Sequence, residues 1–507
     1  MSERADASVV GVEPELARDQ EWQRLDPRML LVHPVRELLR FLPVLIGIFL
    51  AGTASGGEPW HYLGVAAPVA LGVLRYLTTS FRITGGRVEL RRGLLNRHVL
   101  STPLDRVRTI DLTASPIHRL LGLTTVRIGT GTASTSEEDR LDLDGLPLTR
   151  ARELRQELLH VAPASGIGPE GADVGPRVVL AFDPAWIRFA PLTSSGLVIA
   201  AGVLGALTQL VNTLGGFERV DASSWADGVN GVPVWAAVTG GLLGLLVVVS
   251  GLAIGGYVVA NWGFTLTHST GSWHLARGLL TTRETSLDDE RVGGVSVCEP
   301  FGLRLAGGGQ VRAIVTGLDS KQQSSAVLVP PAPLRVGNGV ARAVLGTASP
   351  VDAPLTDHGP AAARRRYTRA LLPALAVLTV LVVVVARTGL PAWSALAGLV
   401  LVLGALPLGA DRARSLGHAL VDGFLVSRSG SLHRTRTMVG TGHVIGWNLR
   451  STWFQRRVGL TSLVATTAGG PQSVLVLDVP EDEAVRLADD AVPGLLGQFT
   501  VQHSPAS

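Results

Sequence analysis

The chain has little charge and a single cysteine. Charged residues make up 17% of the 507 residues, aromatic residues make up 5%, and Cys298 is the one cysteine. A single cysteine excludes an intramolecular disulfide framework and any zinc or iron–sulfur site that several cysteines would build. We therefore expect Cys298 to be a small, buried, apolar residue.

Apolar residues are abundant instead. They account for 46% of the sequence and give a mean hydropathy of +0.32, which is more than a soluble surface can hide. The chain therefore belongs in a lipid bilayer. The formal net charge is +4, but no basic run is interleaved with aromatic residues, so we expect no nucleic-acid partner. Residues 1–21 lack the basic and apolar regions of a cleavable signal peptide.

Long apolar stretches occur in pairs, and each stretch is close to the ~20 residues that cross a bilayer as a helix. The second is short and contains Pro68, so a re-entrant hairpin is the competing interpretation there. Arginines flank the outer ends of the pairs and are scarce in the loops inside them, which predicts cytoplasmic flanks. The predicted spans are Leu38–Gly56, His61–Leu77, Pro191–Val211, Val234–Val258, Tyr367–Val385 and Pro391–Ala410.

A copy of one β-rich module follows each pair, and two glycines mark every copy at a separation of 29 positions. Such self-similarity predicts a repeated architecture. These landmark glycines are Gly93 and Gly122, Gly278 and Gly307, and Gly430 and Gly459. Alternating apolar residues around them predict strands, and an apolar residue followed by proline (Leu146-Pro147, Val329-Pro330 and Val479-Pro480) precedes a helical pattern that closes each copy.

An arginine stands three positions before the second glycine of each copy: Arg119, Arg304 and Arg456. Because it recurs within one chain, we expect a role in the fold, such as a bond to a nearby backbone carbonyl or to a carboxylate such as Asp105 or Glu290. A role in binding a ligand is the alternative.

Short motifs recur at matching places in the three copies. They are Phe81–Thr84, Arg91–Leu95, Pro103–Val107, His118–Leu123, Gly263–Leu266, Ala276–Leu280, Glu290–Val292, Glu299-Pro300 and Arg456–Thr461. Together these motifs resemble the bacterial PH-like membrane proteins of the YdbS/YdbT type, and the third copy matches more faintly than the first two. The resemblance implies a pleckstrin-homology-like (PH-like) fold of seven strands in a partly closed sheet with a C-terminal helix, and it brings no catalytic residue, cofactor or metal site.

The predicted fold class is a membrane protein of α plus β structure, in which a transmembrane helix pair and a PH-like module alternate three times. The predicted domains are a disordered N-terminus (1–24), helix pair 1 (25–80), module 1 (81–161), a linker (162–176), helix pair 2 (177–260), module 2 (261–345), a linker (346–363), helix pair 3 (364–411) and module 3 (412–500).

The leading hypothesis is a non-enzymatic scaffold in the bacterial cell membrane, with its modules in the cytoplasm and a role in envelope homeostasis or in stress or antimicrobial resistance. Its expected partners are the lipid bilayer and another membrane protein of the same family. Arg87, Arg91, Arg92 and Arg97 form a basic strand pair that is a candidate for lipid or partner contact, with a solvated hairpin as the alternative. A transporter or channel subunit and a membrane-bound enzyme are the competing functions.

Overall fold

The computed structural model describes most of the chain in segments that form two compact units. Unit 1 comprises residues 1–182 and 195–288, and unit 2 comprises 183–194 and 289–507. Apart from isolated positions, the described residues are 22–32, 76–84, 87–92, 98–103, 109–129, 141–160, 177–193, 233–269, 271–315, 326–467 and 473–494. The predicted spans Leu38–Gly56, His61–Leu77 and Pro191–Val211 lie wholly or mostly outside these residues.

Unit 1 contains the strands of module 1 and the first three strands of module 2. Its described strands are β1 (Gln23–Arg24), β2 (Ser80–Thr84), β3 (Arg87–Arg92), β4 (His98–Pro103), β5 (Thr109–Ala114), β6 (Leu123–Gly129), β7 (Leu141–Pro147), β8 (Arg177–Ala181), β9 (Thr265–Ser269), β10 (Ser272–Arg277) and β11 (Thr282–Asp288). Its described helices are α1 (Pro116–Leu121), α2 (Leu148–His160) and α3 (Val234–Asn261).

Unit 2 contains the remaining strands of module 2 and all of module 3. Its described strands are β12 (Val292–Pro300), β13 (Gly308–Val315), β14 (Val327–Pro333), β15 (Gly417–Val421), β16 (Phe424–Ser429), β17 (His433–Gly440), β18 (Val444–Arg450), β19 (Leu460–Thr467) and β20 (Ser473–Pro480). Its α-helices are α4 (Phe301–Leu305), α5 (Leu334–Leu345), α6 (Ser349–Asp352), α7 (Gly359–Thr388), α8 (Leu396–Arg414), α9 (Trp453–Arg456) and α10 (Glu481–Ala491), and a 3-10 helix covers Pro184–Leu192.

Module 1 is a sandwich with one core. The sheet β1-β2-β3-β4 and the strands β5–β7 bury their alternate apolar residues against each other, and α2 closes the core through Leu154. Module 3 repeats this arrangement, since β16 and β17 share a core with β18–β20 and with α10. Two packed layers of this kind are what period-two alternation predicts, because each strand has one apolar face.

Neighbouring modules share sheets within each unit. In unit 1 a sheet runs in the order β7-β6-β5-β11-β10-β9-β8, and in unit 2 another runs in the order β14-β13-β12-β17-β16-β15. The joining pairs, β5 with β11 and β12 with β17, are both antiparallel. The sequence of module 2 is therefore divided, with its first three strands in the sheet of unit 1 and its last three in the sheet of unit 2.

Five landmark glycines lie in the described residues, and all five have positive φ, which explains why glycine recurs there. Gly122, Gly307 and Gly459 follow the short helices α1, α4 and α9, with φ of 70°, 68° and 65°. Their carbonyls accept hydrogen bonds from the first residues of α2, α5 and α10 at 3.1, 2.9 and 3.2 Å. Gly278 and Gly430 form tight hairpins, with φ of 112° and 100°. Gly93 lies outside the described residues.

Three described helices are long and apolar enough to cross a membrane: Thr239–Asn261 in α3, Gly359–Thr388 (α7) and Trp393–Arg414, which includes α8. They agree with the fourth, fifth and sixth predicted spans. α7 and α8 approach closely because α8 has glycine at the contact. A Cβ on Gly398 of α8 would lie 2.8 Å from the Cα of Leu378 in α7. Small residues at helix contacts are typical of membrane helix pairs.

An aspartate caps a turn before each of the three predicted helix pairs. The Asp26 and Asp183 carboxylates accept from the backbone N–H two residues on, at 2.9 Å in both cases. Asp357 does the same for Gly359 at 3.3 Å. A proline directly follows Asp26 and Asp183, whereas His358 follows Asp357.

Several predicted boundaries differ from the structure. Gln23 and Arg24, assigned to a disordered N-terminus, pair with β2. The linker 346–363 is ordered, because α6 and the start of α7 lie in it and Val351 is 6% exposed. The helix of module 2 starts after Pro333 rather than Pro330. The expectation for Cys298 is confirmed, since it is buried.

The hairpin glycines give a direct test. A Cβ on Gly430 would lie 2.0 Å from the His433 carbonyl oxygen, and the positive φ adds backbone strain. We expect Gly430→Ala to lower the free energy of unfolding by about 1 to 3 kcal/mol, measured by thermal unfolding in detergent. Gly442→Ala is the control, because nothing lies within 4 Å of its Cβ. Equal melting temperatures for the two variants would contradict the assignment.

Candidate functional site

The predicted basic strand pair is only partly available to a ligand. Arg87 is exposed on β3, and Glu89, two residues on, pairs with Arg82 at 2.5 Å. The guanidinium groups of Arg82 and Arg91 lie over the Trp22 ring, 4.7 and 5.7 Å from its centroid. Such cation–π contacts engage the positive charge inside the protein. Arg92 belongs to β3, and Arg97 lies outside the described residues.

The repeated arginines hold the next module's hairpin. Arg119 Nη1 donates to the Leu279 carbonyl at 2.7 Å. Arg304 Nη1 donates to the Ser431 carbonyl at 3.2 Å. Each carbonyl belongs to the residue directly after a hairpin glycine, Gly278 or Gly430. In these two copies the arginine thus binds a backbone carbonyl, one of the two kinds of acceptor that the sequence suggested.

Asp411, near the C-terminal end of α8, pairs with two arginines. Its carboxylate pairs with Arg304 at 2.8 Å and with Arg434 of β17 at 2.9 Å. Arg304 therefore contacts Asp411 rather than Glu290, the carboxylate that the sequence suggested. All three side chains are largely buried, so water screens the charges less than at an exposed surface.

A second carboxylate anchors α7. Asp478 in β20 is 0% exposed and has a φ of 56° at a β-bulge. It forms ion pairs with Arg365 and with Arg366, the latter at 2.5 Å, and Gln455 Nε2 donates to it at 2.7 Å. A buried carboxylate with these partners is strongly constrained, because removing a partner leaves a charge in a poorly solvated place.

A pair of buried histidines lies beside the start of α7. His358 Nδ1 donates to the Leu477 carbonyl at 2.8 Å, so its Nε2 accepts from His418 Nδ1 at 3.0 Å when both rings are neutral. His418 Nε2 then faces the Glu483 carboxylate at 3.6 Å. Burial lowers the pKa of His418, and burial together with the neighbouring His418 lowers the pKa of His358.

The side chains that bind α7 and α8 to module 3 were not singled out from sequence. Asp478, Asp411 and the two histidines come from separate parts of the chain, and each residue alone is unremarkable. One signal was available: Asp478 stands three positions before its helix, where module 1 has Gly145, and both have positive φ. Taken together, these groups attach a β-module to the ends of membrane helices.

Loss of the Asp478 charge should weaken this attachment strongly. Asp478→Asn retains a side chain that tolerates positive φ but leaves Arg365 and Arg366 without a counter-charge. We expect the free energy of unfolding to fall by about 3 to 5 kcal/mol, read from thermal unfolding in detergent. Asp422→Asn is the matched control, since Asp422 also has a positive φ, of 49°, but is exposed. A similar small loss in both variants would argue against a buried anchor.

The histidine pair predicts a pH-dependent stability. Because the folded-state pKa of each ring lies below the ordinary value of 6.5, the unfolded state binds more protons as the pH falls below that value. Stability should therefore be present above pH ~6.5 and decline toward the lowered pKa values. In the double variant His358→Asn, His418→Asn, the melting temperature should fall less steeply as the pH is lowered. His443→Asn, in the same module, should retain it, and an unchanged profile in the double variant would refute the role.

Two regions of the chain are similar to a known protein family, and one stretch is similar to a curated protein. The chain is 30% identical over 106 residues to a PDZ domain-containing protein of Schizosaccharomyces pombe, which is 20% of this chain and 11% of that protein. That overlap is too short to carry an inference about activity. No solved structure matches the chain. The family described as Bacterial PH domain matches residues 37–162 and 371–490, which cover module 1 and residues 412–490 of module 3, although the sequence motifs had ranked the third copy as the faintest.

Proposed function

We propose that the protein is a non-enzymatic scaffold of the cell membrane, which holds its PH-like modules at the cytoplasmic surface. The observation that carries the proposal is the attachment of module 3 to both α7 and α8. Asp478 binds the start of α7 through Arg365 and Arg366, and Asp411 near the end of α8 binds Arg434. A module that is fixed at two helix ends has a defined position at the membrane surface.

The charge distribution supports a cytoplasmic position. Arg364, Arg365, Arg366 and Arg369 lie in the first turns of α7, and Arg412 and Arg414 lie at the end of α8. These are the helix ends that contact module 3. Arginines near a membrane surface favour the cytoplasmic side, where each gains ~1 kcal/mol from anionic lipids.

The spans themselves favour a scaffold over a transporter or channel. The apolar span Thr239–Asn261 contains no Asp, Glu, Lys or Arg, and neither do residues 370–386 and 393–410. Ionisable residues inside spans usually mark a transport pathway. Within each charged cluster described above, the acidic and basic side chains pair with each other at the helix ends. Such pairing suits anchoring better than the catalysis that a membrane-bound enzyme would need.

Shared sheets explain how weak contacts could become useful. Within each unit, strands of two modules share one sheet, so their surfaces lie at a fixed spacing. Once a partner has bound one of these surfaces, the effective concentration of the second surface is raised. The partners proposed are the lipid bilayer and another membrane protein of the same family. Envelope homeostasis and stress or antimicrobial resistance are the cellular roles that remain as predictions from sequence.

Reporter fusions test the orientation on which this function depends. Fusions after Arg82, Lys321 and Gly430 should report the cytoplasm, and a fusion near Asp221 should report the outside. An external signal from any of the first three would overturn the proposal. Proteoliposomes that contain the purified protein should show no substrate-dependent flux above empty liposomes, and a specific flux would favour the transporter.

A further inference from the structure

Among the described strands, β4 and β18 lie at sheet edges although their counterparts in the other copies are paired on both sides. In unit 1, β4 has a hydrogen-bonded neighbour on one side only, β3, among the described residues. By its place in the repeat, β4 corresponds to β11 and β17. In unit 2, β18 likewise has only β19 as a neighbour in the described part, and it corresponds to β5 and β12. An open edge presents unpaired backbone donors and acceptors, which makes it a template for another strand.

The two internal junctions have the same register. Leu112, ten positions before Gly122, lies opposite Glu284, six positions after Gly278. Val297, ten positions before Gly307, lies opposite Arg436, six positions after Gly430. Register is specific because a slip of one residue moves every side chain to the other face. The identical offset shows one mode of pairing, used twice.

The same rule selects one pair of residues at the open edges. Ten positions before Gly459 is Leu449 in β18, and six positions after Gly93 is Val99 in β4. Leu449 is 44% exposed, whereas its counterparts Leu112 and Val297 are 2% and 3% exposed. Val99 is 56% exposed. Both open edges therefore carry an apolar side chain at the position that the shared register would bring together.

The repeated arginine supplies an independent sign. Arg119 and Arg304 each donate to the carbonyl of the residue after a hairpin glycine in the strand pair that follows. Their counterpart Arg456 is exposed at the end of α9, the helix that follows β18 in the chain. Module 3 thus has an exposed arginine in the place from which Arg119 and Arg304 each bind the strand pair that follows.

We propose that β18 of one copy pairs antiparallel with β4 of a second copy of this chain, with Leu449 opposite Val99 and Arg456 bound to the β3–β4 strand pair of that second copy. The contact continues the internal sheet junctions from one molecule to the next, and it goes beyond the scaffold function, which does not require self-association. Because each copy offers one edge of each kind, the interface is head-to-tail and builds rings or open rows. Backbone pairing supplies the affinity, and the apolar pair and the arginine fix the register.

Disulfide cross-linking tests the register directly. Cys298→Ala removes the native thiol, and Val99→Cys and Leu449→Cys are then placed on separate, differently tagged chains that are co-expressed. Directly opposed residues have Cβ atoms about 4.5 to 5.5 Å apart, within or close to the range that a disulfide spans. Oxidation of isolated membranes should give a dimer that carries both tags. The combination of Val99→Cys with Asn448→Cys, one residue out of register, should give at least about fivefold less.

Three results would overturn the proposal. The first is mixed-tag dimer at the level of the off-register control. The second is no mixed-tag dimer at all, in membranes where both chains are inserted in normal amounts. The third is cross-linking confined to single molecules when both cysteines are in one chain, which would mean that the chain closes on itself. None of these results depends on orientation or flux, so they leave the scaffold function to its own test.

Arg456→Ala should lower the yield of mixed-tag dimer by about tenfold, as expected for the loss of a hydrogen bond from a charged donor. Arg457→Ala is the matched control, because Arg457 is the next residue and is also exposed, but it stacks on Trp453, 3.9 Å from the ring centroid. Equal yields from the Arg456 variant and the protein that retains this arginine would show that Arg456 does not bind the strand pair of the second copy.

Discussion

The pairing of one module's fourth strand with the next module's third strand determines most of this architecture. It occurs between β5 and β11 in unit 1 and between β12 and β17 in unit 2, in one register. Antiparallel pairing satisfies backbone groups that would otherwise lie at an edge. Around each junction an arginine binds the carbonyl after a hairpin glycine. The glycines therefore recur because both the hairpin and the bond to it require a backbone that only glycine adopts easily.

Local features of the fold were accessible from sequence because they rest on local chemistry. The positive φ of Gly278, the helical spans and the burial of Cys298 depend on neighbours in the chain or on composition. The exact acceptor of Arg304 was not accessible, because Ser431 lies 127 positions away. Glu290 was suggested because it lies close to Arg304 in the sequence. The carboxylate that Arg304 contacts is instead that of Asp411, 107 positions away.

The candidate site was less predictable than the fold. Asp478 meets Arg365 and Arg366 only after module 3 has folded against α7, and the histidine pair joins positions 358 and 418. Composition could not reveal these contacts, because each is made by a common residue in an ordinary local pattern. The predicted basic strand pair shows the opposite case: its run of arginines is visible in the sequence, and the structure adds that the Trp22 ring and the Glu89 carboxylate engage part of that region's charge.

The division of module 2 has a consequence for how such a chain can change. Its strands β9–β11 belong to one compact unit and β12–β14 to the other, so the segment that repeats in the sequence differs from the segment that folds together. A duplication or deletion that begins and ends at repeat boundaries would cut two sheets, whereas one that begins between β11 and β12 would leave each sheet whole. Gain and loss of modules in evolution should therefore be easiest in the middle of a repeat.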